Sequence, residues 1–429
     1  MNGTGFKVIV IGGGMAGLLL GNGLERHGID FTLFEADPET SERDGYQIRL
    51  GAPAISGFNA CLDDESRMSL YPKFGYSGGV VSSAPILYDA RLRVLLDLTK
   101  FPAYTKSAPI TRAALRDHLA APLRQAGYIE YSRKFTNFKC IRDDAGKTKV
   151  KVFFQDGSED VCDLLVSAEG AWSKINRQIG LNNITHLTTH WNLSAKCSID
   201  TEKLAKLPPE IERGPIAVSH DGLFLFFSAY VAAGANKNTI STSNRKLEYC
   251  VDMLKGWDTR FHDLLRSIGP ENVQVFQHHT SQQPAANWRS TAKASQNTLE
   301  AGNEHVWLLG DAIHAMTPGR GMGGNQAMCD TADILPQIVQ LAEKSKTQQL
   351  KDKDYQVAVA AFEKAMFPRA FDWVRKSGGT DDKSGVDAST LFGRVTLFIM
   401  ARVLDAAYVY GMACKILGYG PQDDAPELI

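Results

Sequence analysis

Apolar and polar positions fall into three textures along the chain. The first opens with an apolar, β-branched run from Val8 to Ile11 and a glycine-rich break. Leucines follow at 18, 19, 20 and 24 with helical spacing, then a second apolar run from Phe31 to Phe34. This reads as strand, tight turn, helix, strand. Residues 107–126 set Leu115, Leu119 and Leu123 on one helical face, with Thr111 placed to cap the start and Gly127 to stop it. Residues 128–168 read as short strands, with turns at Asp143–Lys147 and Gln155–Ser158 and a buried strand from Leu164 to Ala168.

The second texture runs from about 181 to 290. Strand-like segments cover His186 to Ile199 and Ile216 to Tyr230, and a helical stretch lies near Leu247 to Ile268. Alternation puts Leu223, Leu225 and Phe227 on one face, Phe224 and Phe226 on the other. The third texture starts with a buried strand at 304–311 and a helix from Asn325 to about Ala342; helices then dominate, interrupted by a glycine-rich loop at 378–385. Residues 395–417 are apolar, but Arg402, Asp405 and Lys415 interrupt them. A packed C-terminal helix is expected there rather than a transmembrane segment, with contact to a membrane surface as the alternative.

These patterns predict an α/β fold. A discontinuous Rossmann-like domain takes 1–75, 105–180 and 285–345; an inserted, mainly antiparallel β-sheet domain for substrate takes 76–104 and 181–284; C-terminal helices fill 346–429. A chain of 429 residues is too long for one ordinary core. Lys plus Arg is 47 against Asp plus Glu at 48, which gives no support for a nucleic-acid partner. The seven cysteines are scattered and never spaced CxxC, which argues against a disulfide framework, a zinc site or a redox dithiol. With the first strand almost at the N-terminus, a cytoplasmic protein is expected.

The break after Val8–Ile11 has the pattern G-x-G-x-x-G, as Gly12, Gly14 and Gly17, and an acid, Glu35, ends the second strand. Gly12 permits the tight turn, Gly14 lets a pyrophosphate approach the backbone, and Gly17 lets the helix pack closely on the strand. Met15 and Ala16 open the helix toward the phosphates, while Glu35, followed by Ala36, can accept hydrogen bonds from ribose hydroxyls. A second segment stands about 300 residues later, Gly310-Asp311-Ala312-Ile313-His314 through Pro318 to Gly321-Met322-Gly323-Gly324-Asn325. Asp311 at a strand end can bond a polyol chain, and the glycine turn feeds a helix whose N-terminus can face negative charge.

Gly310 to Ala327 resembles the G-D-A-x-H-x-x-x-P-x-x-G-x-G-x-N motif of class A flavoprotein monooxygenases, the family of para-hydroxybenzoate and salicylate hydroxylases. Asp163 to Arg177 is similar to that family's D-x-x-x-x-A-D-G-x-x-S-x-V-R motif, and Ile110 to Leu115 to its Arg-bearing helix start. The resemblance implies FAD as the bound dinucleotide, with NADH or NADPH as a transient co-substrate. It implies hydroxylation of an aromatic or other electron-rich small molecule with O₂, through a flavin C(4a)-hydroperoxide, in secondary metabolism or aromatic degradation. An epoxidase, or a reductase or dehydrogenase, on the same fold is the alternative, while the intact glycines and Asp311 argue against a non-enzymatic binder on that fold.

By the same resemblance the ADP half falls to the first glycine turn and Glu35, and Arg112 to the pyrophosphate–ribityl region. Asp311 falls to the ribityl chain, Gly321, Gly323, Gly324 and Asn325 to the isoalloxazine, and the Pro318 backbone to the oxygen-bearing face. Arg43 and Gly45 stand where the family has an Arg and a Gly close to the flavin. The motif bearing Glu169 and Gly170 implies contacts to flavin and NAD(P)H, yet it departs twice: Glu169 replaces the usual Asp, and Asn176 takes the slot of an Arg that falls one place late, at Arg177. His314 is read as a structural hydrogen bonder. Tyr230 is the candidate phenol-orienting group in the strand layer.

Overall fold

The computed structural model describes residues 5–41, 47–74, 85–100, 107–195, 208–210, 215–221, 223–227, 250–267, 273–379 and 386–417. Arg43, Gly45 and Tyr230 lie outside these residues. The chain divides into two compact units, one of residues 1–71, 111–189 and 278–383, the other of 72–110, 190–277 and 384–429. The helices beyond residue 346 are shared between them.

The first unit is built on a five-stranded parallel sheet in the order Val306–Leu308, Leu164–Ser167, Lys7–Ile11, Asp30–Phe34, Ile129–Glu130. The three inner strands carry apolar runs that are buried, as expected of a parallel sheet covered on both faces, with Lys7 and Asp30 at the starts of two of them. Helix Met15–Arg26 follows the first strand, with Leu18, Leu19, Leu20 and Leu24 buried as their spacing predicts. Thr111 caps helix Arg112–Gln125 by accepting the Ala114 N–H at 3.1 Å. The expected turns at 143–147 and 155–158 join a three-stranded antiparallel sheet. Helices Gly323–Ser345 and Asp352–Lys376 complete the unit. The fold is thus the α/β, Rossmann-like architecture expected.

In the second unit the hairpin Ile216–His220 and Leu223–Phe227 pairs antiparallel, and its first strand runs beside Ile86–Tyr88. Leu223, Leu225 and Phe227 pack on a core that includes Trp257 and Phe261, while Phe224 and Phe226 stay exposed. The long C-terminal helix, Leu391–Ile416, departs from expectation. Only its first half packs, through Leu397, Ala401 and Leu404 against Leu96 and its neighbours. The rest of the helix is largely exposed.

Candidate functional site

The site is assembled at the carboxyl ends of the parallel strands of the first unit. Gly12 adopts φ +111°, and a Cβ there would stand 2.4 Å from the Ala168 carbonyl oxygen. A Cβ on Gly17 would stand 2.1 Å from the Gly12 carbonyl oxygen. Both glycines are therefore needed for helix and strands to approach so closely. Gly14 is different: its φ of −74° suits any residue, and a Cβ would meet nothing within 4 Å. It caps helix Met15–Arg26, whose first turn holds no acid and whose cap makes no side-chain hydrogen bond. An open space above uncapped N–H groups at the positive end of a helix is a cradle for a phosphate.

Glu35 reaches back to this turn. Its Oε2 accepts the Gly13 N–H at 2.6 Å and its Oε1 the Asp37 N–H at 2.8 Å. The carboxylate is held at the rim of the cradle, with Ala36 exposed beside it.

The second glycine segment comes to the same place. A Cβ on Gly324 would lie 3.5 Å from the Met15 Cε, and one on Gly323 3.7 Å from the Asp311 Oδ1. Two turns some 300 residues apart in the chain thus face one another. Helix Gly323–Ser345 also starts without an acid or a side-chain cap. Asp311 is solvent-accessible yet hemmed in by protein, and this desolvation raises its pKa; His314 and the Arg112 guanidinium pull in the opposite direction. Arg112 is thus near enough to act on Asp311. Pro318 starts a 3-10 turn ending at Gly321, φ +63°, and is exposed. The Thr317 hydroxyl, hydrogen-bonded to the Ser377 carbonyl, anchors this turn.

Asn325 differs from expectation in one respect. Its side chain donates to the Arg49 carbonyl at 2.8 Å and the Gly321 carbonyl at 3.1 Å, and accepts the Gly51 N–H at 2.9 Å. With its side chain committed to the protein, Asn325 offers a bound ring its backbone, at the start of the helix. The two departures in the 163–177 segment are absorbed locally. Glu169 Oε2 accepts from the Ser173 and Ser167 hydroxyls at 2.7 and 3.1 Å and from the Ile175 N–H at 3.2 Å. Gly170 turns beside it with φ +78°. Buried Asn176 donates to the Ala312 carbonyl and the Asn183 side chain, both at 2.8 Å, and so ties this loop to the Asp311 segment. Arg177 is exposed.

Beneath the second turn lies a buried charge network that sequence reasoning missed apart from His314. Asp330 accepts from His314 at 2.6 Å, from the Gly310 N–H at 2.7 Å and from Arg369 at 2.7 Å. Burial alone would lower the His314 pKa, but the charge and hydrogen bond of Asp330 raise it. Burial likewise opposes charge on Asp330, and His314 with Arg369 outweighs it, holding the carboxyl below its ordinary range. His314 is a structural group, as expected. The available signal was a polar stripe, Gln326, Asp330 and Asp333, along an otherwise apolar helix face. Arg49 was also missed; burial lowers its guanidinium to about 10.

The uncapped cradle at Gly14 and the close glycine backbones at 323 and 324 suit an extended dinucleotide with a flat ring, and comparison with known proteins agrees. Residues 81–367 match the family described as FAD binding domain, and residues 10–64 the one described as NAD(P)-binding Rossmann-like domain. The chain therefore belongs to the FAD binding domain family: it is a class A flavoprotein monooxygenase, an FAD-binding oxidoreductase. It is 29% identical over 393 residues to the FAD-dependent monooxygenase cctM of Talaromyces islandicus, covering 86% of this chain and 91% of the relative. It is 24% identical to a chloroplastic zeaxanthin epoxidase of an Oncidium hybrid cultivar, but there it spans only 52% of the relative's length. Klebsiella pneumoniae HpxO, solved with FAD and uric acid, shares the fold with a TM-score of 0.66 at 19% identity, each chain being 97% covered.

Proposed function

We propose that this flavoenzyme uses NADH or NADPH and O₂ to hydroxylate an aromatic or other electron-rich small molecule in secondary metabolism. The convergence of Met15 and Asp311 on the glycines at 324 and 323 carries the reading, because it sets both glycine turns within reach of one elongated ligand. The cctM relative, a monooxygenase matched over nearly its whole length, supports the same class. Bound FAD supplies electron transfer from the nicotinamide and the activation of O₂; one oxygen atom enters the substrate and the other leaves as water.

The residues have bounded roles. The N–H groups after Gly14 hold the diphosphate, and the rim carboxylate of Glu35 accepts from a ribose hydroxyl. Asp311, with Arg112 nearby, accepts from the ribityl hydroxyls. The backbone of Gly323, Gly324 and Asn325, at the positive end of a helix, would hold the flavin ring and favour negative charge on it. The Thr317–Pro318 turn, anchored through Ser377, would form a firm wall for the bound ring.

The test is direct. Purified, FAD-loaded protein is followed for NADH and NADPH oxidation in air with candidate aromatic substrates. Substrate-stimulated oxidation with a product heavier by one oxygen supports the proposal. Oxidation without oxygen incorporation would reject it in favour of a reductase or dehydrogenase. The zeaxanthin epoxidase likeness supports one second reading, oxygen transfer to an alkene, which an epoxide product would identify.

A further inference from the structure

The Leu391–Ile416 helix has two opposed apolar faces, and only one has a partner. Gly393, Leu397, Ala401 and Leu404 lie along the side that meets the protein, where Leu397 and its neighbours pack around Leu96. Leu391, Val395, Ile399 and Val403 repeat every fourth residue along the opposite side, and all are exposed. Phe392 is 81% exposed, Phe398 63% and Tyr410 74%. A helix that is apolar all round is ordinarily enclosed by protein or lipid. At 26 residues it is about 39 Å long at 1.5 Å per residue, and it is apolar enough to enter a bilayer.

Its charges indicate what covers the free face and at what depth. Asp405, the only acid on the helix, is neutralised by Lys100 at 2.5 Å and Arg402 at 2.9 Å. Arg394 and Arg402 are exposed, Arg402 with its guanidinium 5.6 Å from the Phe398 ring centroid. Within the helix itself the uncompensated charge is basic, matching an anionic surface, and long arginine stems let apolar neighbours sink while the heads stay among phosphates. A charge network midway along the helix, with one face already held by its own unit, is incompatible with crossing the hydrocarbon. A second copy of the same face would set arginine against the partner's arginine with no acid to spare.

We propose that the exposed side of Leu391–Ile416 docks this protein on an anionic phospholipid bilayer, the helix lying in the plane where headgroups meet acyl chains. The inference does not depend on the substrate or the reaction. It is tested by flotation of the FAD-loaded full chain with vesicles of phosphatidylcholine plus phosphatidylserine, and with phosphatidylcholine alone. Wild type is expected to float with the mixed vesicles and less with the neutral ones. I399D/V403D, which puts two carboxylates on the free face, is expected to float about tenfold less while keeping bound FAD. R402Q is expected to weaken the preference for anionic vesicles yet retain its apolar binding. The proposal is overturned if wild type stays unbound with both vesicles, or if I399D/V403D floats like wild type. It is equally overturned if the free face proves to be covered by a dimer in vesicle-free buffer that I399D/V403D dissociates.

Discussion

The Asn325 side chain accepts the Gly51 N–H at 2.9 Å, across 274 positions of chain. With its donations to Arg49 and Gly321, this one buried amide ties the Gln47–Leu50 strand to the second glycine turn. Asn325→Leu would leave a half-buried N–H and two carbonyls without their partner. We expect it to destabilise the protein by about 2–4 kcal/mol, seen as an earlier urea midpoint with or without FAD. A loss of FAD affinity at unchanged stability would refute this structural role.

The first glycine turn separates folding from binding. Gly17→Ala would push a Cβ into the Gly12 carbonyl, and we expect it to lose roughly 3 kcal/mol or more, or fail to yield folded protein. Gly14→Ser meets no protein atom and supplies a good N-cap, so apo stability should hold or rise by about 0.5–1 kcal/mol. The same hydroxyl fills the phosphate cradle, so FAD affinity, read by flavin fluorescence quenching, should fall about tenfold or more.

Stability should vary with pH through the His314–Asp330 pair. His314 has a raised folded pKa, so its contribution is complete below its ordinary value of 6.5 and fades as pH climbs through the raised value. Asp330 has a lowered pKa, so its contribution is complete above 3.8 and fades as pH falls through the lowered value. Urea midpoints should therefore decline on both limbs. His314→Asn should lose about 3 kcal/mol at mildly acidic pH, because it strips a buried carboxylate of a partner, and its deficit should shrink in alkali. An equal deficit at every pH would mean that His314 is neutral in the folded protein.

Local signals were the legible ones. The period of Leu18, Leu19, Leu20 and Leu24 and the cap at Thr111 each act within a few residues, and the structure has both where the sequence puts them. What the sequence hid depends on distant partners. Asn176 looked like a weakened motif until Ala312, 136 positions away, turned out to accept its hydrogen bond. Glu169 adds a methylene to a tight turn, but the turn's own hydroxyls engage the longer acid. Alternation set Phe224 opposite Leu225, yet both faces are apolar, so only packing on Trp257 and Phe261 identifies the inner one. The C-terminal helix misled for the same reason: apolar composition calls for a cover without saying whether protein or lipid provides it.

Asp311 offers a test in which binding and stability move in opposite directions. Its pKa is raised by the protein crowded around it, although the residue keeps solvent exposure, so ionising it carries a penalty in the apo protein relative to the unfolded chain. That penalty is complete above the raised value and disappears as pH falls below the ordinary 3.8. Removing the group should relieve it, so apo Asp311→Ala should unfold at the same or a higher urea concentration than wild type at neutral pH, an advantage that disappears in acid. The proposed hydrogen bonds from ribityl hydroxyls, each worth about 1.5–3 kcal/mol when the acceptor is charged, would account for a carboxylate at this position. Asp311→Ala should therefore bind FAD about tenfold or more weakly, and Asp311→Asn, which keeps an acceptor without the charge, should fall between. If Asp311→Ala destabilises the apo protein and leaves FAD affinity intact, the residue serves the fold and not the cofactor.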